Sequence, residues 1–215
     1  MNQIFVYILV AVIISFIPII RSLFGTIHTL IHESGHAIAT LLTSGKVYSI
    51  SLFSTTDGVA YTASTSRFRS IIVAYAGYTF ASFMALISFY LITSGNVMLL
   101  FYVFLSFAII NLCLWVRNFF GILWLLFYVI GCSFMIYFQL DSIKEMVVHL
   151  LASIILVQSV LASIAIFLLS ITHSKSAGDA TNLQKLTYIP AFIWGLLFLS
   201  QSIFSSYYIF RYFLT

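Results

Sequence analysis

Apolar runs long enough to cross a bilayer follow one another along the chain, separated by short polar stretches. They cover residues 4–24, 26–43, 70–93, 97–116, 119–138, 146–171 and 189–213. No Asp, Glu, Lys or Arg occurs from Ile71 to Val116, room for two spans at ~20 residues each. The pattern predicts an all-α polytopic membrane protein of about six to seven transmembrane helices. It reads as one membrane-embedded domain over residues 1–215, without internal repeats. The first run has no Lys or Arg before its apolar core and no small-residue cleavage site, so it reads as a span rather than a signal peptide. Pro18 is expected to kink its end, with Arg21 at the interface.

One stretch leaves the helical pattern. Tyr48-Ser49-Ile50-Ser51-Leu52 and Val59-Ala60-Tyr61-Thr62-Ala63 alternate around Thr55-Thr56-Asp57-Gly58. Residues 46–66 therefore predict a short β-hairpin, with Asp57 as a turn residue. It serves either as a surface connection or as a strand edge that can pair with an extended substrate. In the third span, Ala74, Gly77, Ala81 and Ala85 form a stripe of small residues expected to allow close helix packing. Asn111, in an apolar setting, either bonds across helices or helps position substrate, and the bond across helices is the expected role.

Composition agrees with the membrane reading. The chain is 62% hydrophobic and 7% charged, against roughly 25% charged in soluble domains. Its net charge of +4 is a matter of membrane orientation and not a nucleic-acid footprint. With seven alternating segments, the N-terminal face collects Lys46, Arg67, Arg69, Arg117, Lys175 and Lys185, and the other face Arg21, Lys144 and Arg211. That bias predicts a multi-pass membrane protein with its N-terminus and hairpin in the cytoplasm. Cys113 and Cys132 both fall in apolar runs and are expected to be free, buried thiols.

The candidate chemistry lies in the second apolar run, as His32-Glu33-Ser34-Gly35-His36. Two imidazoles four residues apart stand one above the other on a helix face and can share one zinc ion. Glu33 beside them can act as general base on an attacking water. His28 extends the same face. At 1.5 Å per residue it lies ~12 Å along the axis from His36, too far for one straight helix to bring all three to one metal. His28 is therefore a packed or supporting histidine, and the third ligand comes from elsewhere. Asp179, in the polar segment 172–188, lies on the same face of the membrane as the end of the motif helix. It also suits a helix N-cap, and His173 in the same loop is the reserve candidate.

These residues place the chain beside a known family. It resembles the site-2 protease family of intramembrane zinc metalloproteases, in particular its compact bacterial B-like branch. The resemblance rests on His32-Glu33-Ser34-Gly35-His36, the hairpin after it, Arg117-Asn118-x-x-Gly121, and Asp179-Ala180-x-x-Leu183-x-x-x-Thr187-x-x-Pro190-x-x-x-Trp194. It implies that His32, His36 and Asp179 bind one zinc per chain and that Glu33 is the catalytic base. Better-known members carry the acidic residue as L-D-G or N-P-D-G, whereas here it stands in Ala177-Gly178-Asp179-Ala180. The implied activity is hydrolysis of peptide bonds in membrane-associated protein or peptide substrates, within the lipid bilayer of a cell membrane (the implied place being a bacterial plasma membrane) and open to a regulatory partner. The alternatives are a non-proteolytic metal-binding membrane regulator or transporter component that keeps the fold, and a metal-free proton relay through the histidines. An intact Glu33 argues for hydrolysis, because metal binding alone does not need it.

Overall fold

The first apolar run does not continue through Pro18. In a computed structural model, which describes residues 2–214, helix α1 (Asn2–Phe16) stops and Pro18 opens α2 (Pro18–Leu42). Ile17 between them is extended, with φ −100° and ψ 107°, because a residue before proline is kept out of the helical region. The missing proline N–H costs nothing at the first helical position, so Pro18 starts the second helix instead of kinking the end of the first. The two helices meet at 116°. The expected division near residue 25 is thereby corrected to residue 17, and Arg21 belongs to the early turns of α2.

The chain continues as β1 (Lys46–Leu52), β2 (Gly58–Ala63), α3 (Arg67–Thr93), α4 (Val97–Leu114), α5 (Phe119–Tyr137), α6 (Asp141–Thr172), α7 (Gly178–Thr187) and α8 (Ala191–Phe213). Among the described residues, five helices (α3, α4, α5, α6 and α8) are long and apolar enough to cross a membrane, and the bent pair α1–α2 makes a sixth crossing if counted as one. The protein is an all-α polytopic membrane protein with a two-stranded antiparallel hairpin after the motif helix, as its apolar runs predict.

The broken first crossing corrects one expectation. Tyr7 stacks on His149 with ring centroids 5.3 Å apart, and Phe5 on Phe210 at 6.3 Å. Further along both helices, the Gln158 amide donates to the Ser15 hydroxyl at 3.0 Å. Helix α1 thus runs beside α6 in the same direction, away from the Asp141 end and towards the hairpin end of the bundle. The N-terminus lies at the end opposite the hairpin, not at the same end, because the break at Ile17 joins two expected spans into one crossing.

The hairpin is held on both sides. β1 pairs with β2, and its other edge is closed by the turn between α4 and α5. There the Ile50 N–H donates to Trp115 O at 2.8 Å and the Arg117 N–H donates to Ile50 O at 3.3 Å. The Asn118 amide then imitates a strand: its Oδ1 accepts from the Leu52 N–H at 3.0 Å and its Nδ2 donates to Leu52 O at 2.6 Å. Deleting one side of such a pair costs about 1–3 kcal/mol. Asn118→Ala is therefore expected to speed amide hydrogen exchange in residues 50–60 about tenfold or more, and wild-type exchange there would remove Asn118 as the anchor. Asn111 bonds across helices as expected, donating to the Ser34 hydroxyl of α2 at 2.9 Å. Both cysteines are free; Cys132 is buried, but Cys113 is exposed on α4, contrary to expectation.

Candidate metal centre

Helix α2 carries the motif through the middle of the bundle, packed closely on α3. A Cβ on Gly35 would stand 2.7 Å from Phe80 Cβ and 3.0 Å from Ala76 O, so the glycine in the motif sets the distance between the two helices. At that separation the His36 Nδ1–H donates to Val73 O of α3 at 2.7 Å. This bond fixes the ring and its tautomer, leaving the Nε2 lone pair free. The His32 ring stands edge-on to Tyr78 with centroids 4.6 Å apart, and Tyr78 in turn stacks on Phe198 of α8.

The short helix α7 brings in the carboxylate. Ala177, Ala180 and Leu183 are fully or almost fully buried against Ala74 of α3, Ile166 of α6 and Phe198 of α8. Arg67, at the start of α3, clamps the far end of α7 by donating to Leu186 O and lying over the Tyr188 ring, 4.5 Å from its centroid. The N-cap of α7 is Ala177. Asp179 falls within the first turn and does not serve as the cap. Its Oδ2 lies 3.2 Å from His32 Nε2 and 3.2 Å from His36 Nε2, and the two nitrogens are 3.1 Å apart.

Three electron-pair donors forming a near-equilateral triangle fit a cation. A tetrahedral centre with bonds of about 2.0–2.1 Å sets its ligand atoms roughly 3.3–3.4 Å apart, close to the distances here. Two further observations agree. Among the described residues, His32, His36 and Asp179 form the one cluster that could hold a metal ion. The third α3 residue facing this cluster is Gly77, where a Cβ would stand 2.5 Å from His36 Nε2 and 2.6 Å from His32 Nε2. Only a bare backbone leaves that space open. The small-residue stripe of α3, expected to serve packing, therefore makes room for the site at Gly77.

Glu33 is buried on the neighbouring face of α2, and the Ala60 N–H of β2 reaches its carboxylate. The hairpin tip leans on the same helix turn: Thr29 Oγ1 donates to Thr56 O at 2.6 Å, and a Cβ on Gly58 would stand 2.7 Å from Glu33 Oε1. These groups open onto a cleft of about 1010 Å³ between α2, the hairpin, α6 and α7.

Of the other candidates, Asp57 stays in its turn, accepting from Thr55 at 2.7 Å. His173 caps the exposed end of α6, with Nδ1 3.1 Å from Thr172 Oγ1, and is not brought to the cluster. His28 is buried, its ring centroid 6.4 Å from that of His32, and lies outside the cluster. The supporting groups Val73, Gly77 and Tyr78 were not legible as site residues, because α3 carries no motif of its own.

Comparison with protein families matches residues 4–209 to the Peptidase M50B-like family. The chain belongs to that family. The match covers nearly the whole sequence and bears out the resemblance to site-2 proteases. No curated protein and no solved structure matches the chain. Membership of a peptidase family joins a part-buried His–His–Asp triangle to a membrane-embedded helical bundle, so the M50B-like chain is a membrane protein of peptidase type.

Proposed function

We propose that this M50B-like protein is an intramembrane zinc metalloprotease hydrolysing peptide bonds of membrane-associated protein substrates. In this reading His32, His36 and Asp179 hold one zinc per chain, and Glu33 is the general base. The observation that carries it is the triangle of His32 Nε2, His36 Nε2 and Asp179 Oδ2, with 3.1–3.2 Å edges, beside a buried carboxylate that is not part of it. Bound zinc supplies a Lewis acid that polarises the scissile carbonyl and lowers the pKa of water. Val73 keeps the His36 ring oriented, and Gly77 keeps the space beside both rings open. Glu33 takes the proton of the attacking water and passes it to the leaving amine.

The hairpin supports the substrate side of this reading. Ile50 and Leu52 direct their backbone groups towards residues 115–118. Their antiparallel partners Ala60 and Gly58 therefore turn their own N–H and C=O groups away from β1. That edge of β2, unpaired by any strand and meeting Glu33 at the Ala60 N–H, borders the cleft. A peptide added there is held extended, with its scissile bond exposed to attack rather than hidden in a helix. For orientation, Lys46, Arg67, Arg69, Arg117, Lys175 and Lys185 lie at the hairpin end of the bundle, against Lys144 and Arg211 at the other. We read the hairpin end as cytoplasmic in a cell membrane, which sets the N-terminus on the outer side.

The test is metal content by mass spectrometry on detergent-purified protein, for wild type, His36→Ala and Asp179→Ala. The expected result is near one zinc per wild-type chain and loss in both variants. Zinc lost only with His36→Ala would remove Asp179 from the site. A folded wild type that takes up no zinc when supplied with it would overturn the hydrolase reading in favour of a proton relay.

A further inference from the structure

The cleft continues past the metal cluster towards the start of α2, and the residues lining it there have no part in the chemistry above. Arg21, Gly25, His28, His32 and His36 follow one another at helical steps of four, three, four and four, so they share one face of α2. All of them line the cleft. His28 is 7% exposed and its Nε2 has no hydrogen-bond partner among the described residues. Buried polar atoms are almost always paired, so this one points to a missing partner. Arg21 is exposed at the mouth of the cleft, and no hydrogen-bond or ion-pair partner holds its guanidinium among the described residues. An ionisable side chain in a membrane bundle is by default a functional one.

The acidic groups of the cleft are all engaged elsewhere. Glu33 meets the Ala60 N–H, Asp57 accepts from Thr55, and Asp179 faces the two histidines. Among the described residues, no carboxylate lining the cleft is paired with Arg21. The hairpin sets the direction of an incoming chain. Its tip, at Thr56, touches α2 at Thr29 and comes within 3.2 Å of where a Gly25 Cβ would lie. A peptide laid along the β2 edge beside Glu33 and continued past Gly58 therefore runs towards Gly25, His28 and Arg21.

We propose that this end of the cleft is a specificity subsite for a carboxylate side chain, Asp or Glu, of the substrate. The inference rests on the protease reading and names its substrate class. From the turn between His32 and His36, His28 is ~9 Å and Arg21 ~20 Å along the helix axis. At ~3.3 Å per extended residue, the acidic residue falls about three to five positions from the scissile bond. Arg21 supplies the charge-assisted hydrogen bond and His28 Nε2–H a second donor. The bond from His28 is worth more here than in water, since His28 is buried inside the bundle.

The experiment uses zinc-loaded full-length protein in phosphatidylcholine nanodiscs. It is offered peptides that carry Asp or Glu, or the matching Asn or Gln, at each position around a common cleavable core, and cleavage is read by mass spectrometry. Wild type is expected to cleave the acidic peptides with kcat/KM about tenfold or more above the amides at one position three to five residues from the cut. Arg21→Gln is expected to bring that ratio close to one, mainly through KM. Equal rates for acid and amide in wild type, or an undiminished ratio in Arg21→Gln, overturn the subsite. Phosphatidylglycerol discs that erase the preference assign the pocket to a lipid headgroup and also overturn it. If wild type cleaves none of the peptides, the protease reading fails, and the subsite is decided by binding of the same peptides with a fluorescent label. Acidic peptides binding at least tenfold tighter than amides, with Arg21→Gln removing the difference, support the subsite; equal binding overturns it.

Discussion

Glu33→Gln is expected to keep zinc near one per chain while cleavage of any peptide substrate falls by about 10²–10⁴-fold, the usual contribution of a positioned general base. The substitution is close to isosteric. The amide oxygen can still accept from the Ala60 N–H, and neither Glu33 oxygen belongs to the His32–His36–Asp179 triangle. The outcome is thus separable from loss of the site: metal stays, proton transfer goes. Zinc content and turnover measured on the same preparation decide it. Undiminished cleavage would remove Glu33 from the chemistry. Loss of zinc together with activity would make Glu33 a structural part of the site and leave its role as a base unsupported.

Gly77→Ala is expected to remove metal binding as completely as loss of a ligand, although Gly77 has no side chain to offer. A Cβ at this position would stand 2.5–2.6 Å from atoms of both histidine rings, well inside van der Waals contact. His36 cannot swing away without giving up its 2.7 Å bond to Val73 O, and backing α2 away from α3 would open the close contact at Gly35 and leave a void there. Overpacking of this kind costs about 1–3 kcal/mol, small enough for the bundle to stay folded while the cluster is displaced. Gly131→Ala is the control, since its added Cβ meets nothing within 4 Å. The expected zinc content is near zero for Gly77→Ala and unchanged for Gly131→Ala. Full zinc occupancy in Gly77→Ala would show that the rings relax and that the glycine serves only helix packing.

Much of this protein follows from local rules that the sequence states directly. Runs without charge must cross the bilayer as helices, because lipid leaves no other partner for backbone groups. Alternation around Thr55-Thr56-Asp57-Gly58 gives the hairpin, and two histidines at a four-residue step must share one helix face with Glu33 beside them. What the tertiary structure decided is everything that depends on distance between elements. Pro18 could kink a span or begin a helix, and only the 116° break separates the two, moving the N-terminus to the other end of the bundle. Asp179 could cap α7 or face the histidines. Packing of Ala180 and Leu183 against α3, α6 and α8 turns it inward. Gly77 reads as one small residue among four on α3 until α2 is laid against it, when its missing Cβ becomes the space beside two imidazoles. Spacing along one helix is written in the chain, but the approach of two helices is set by the summed packing of many side chains, and no single stretch of sequence carries it.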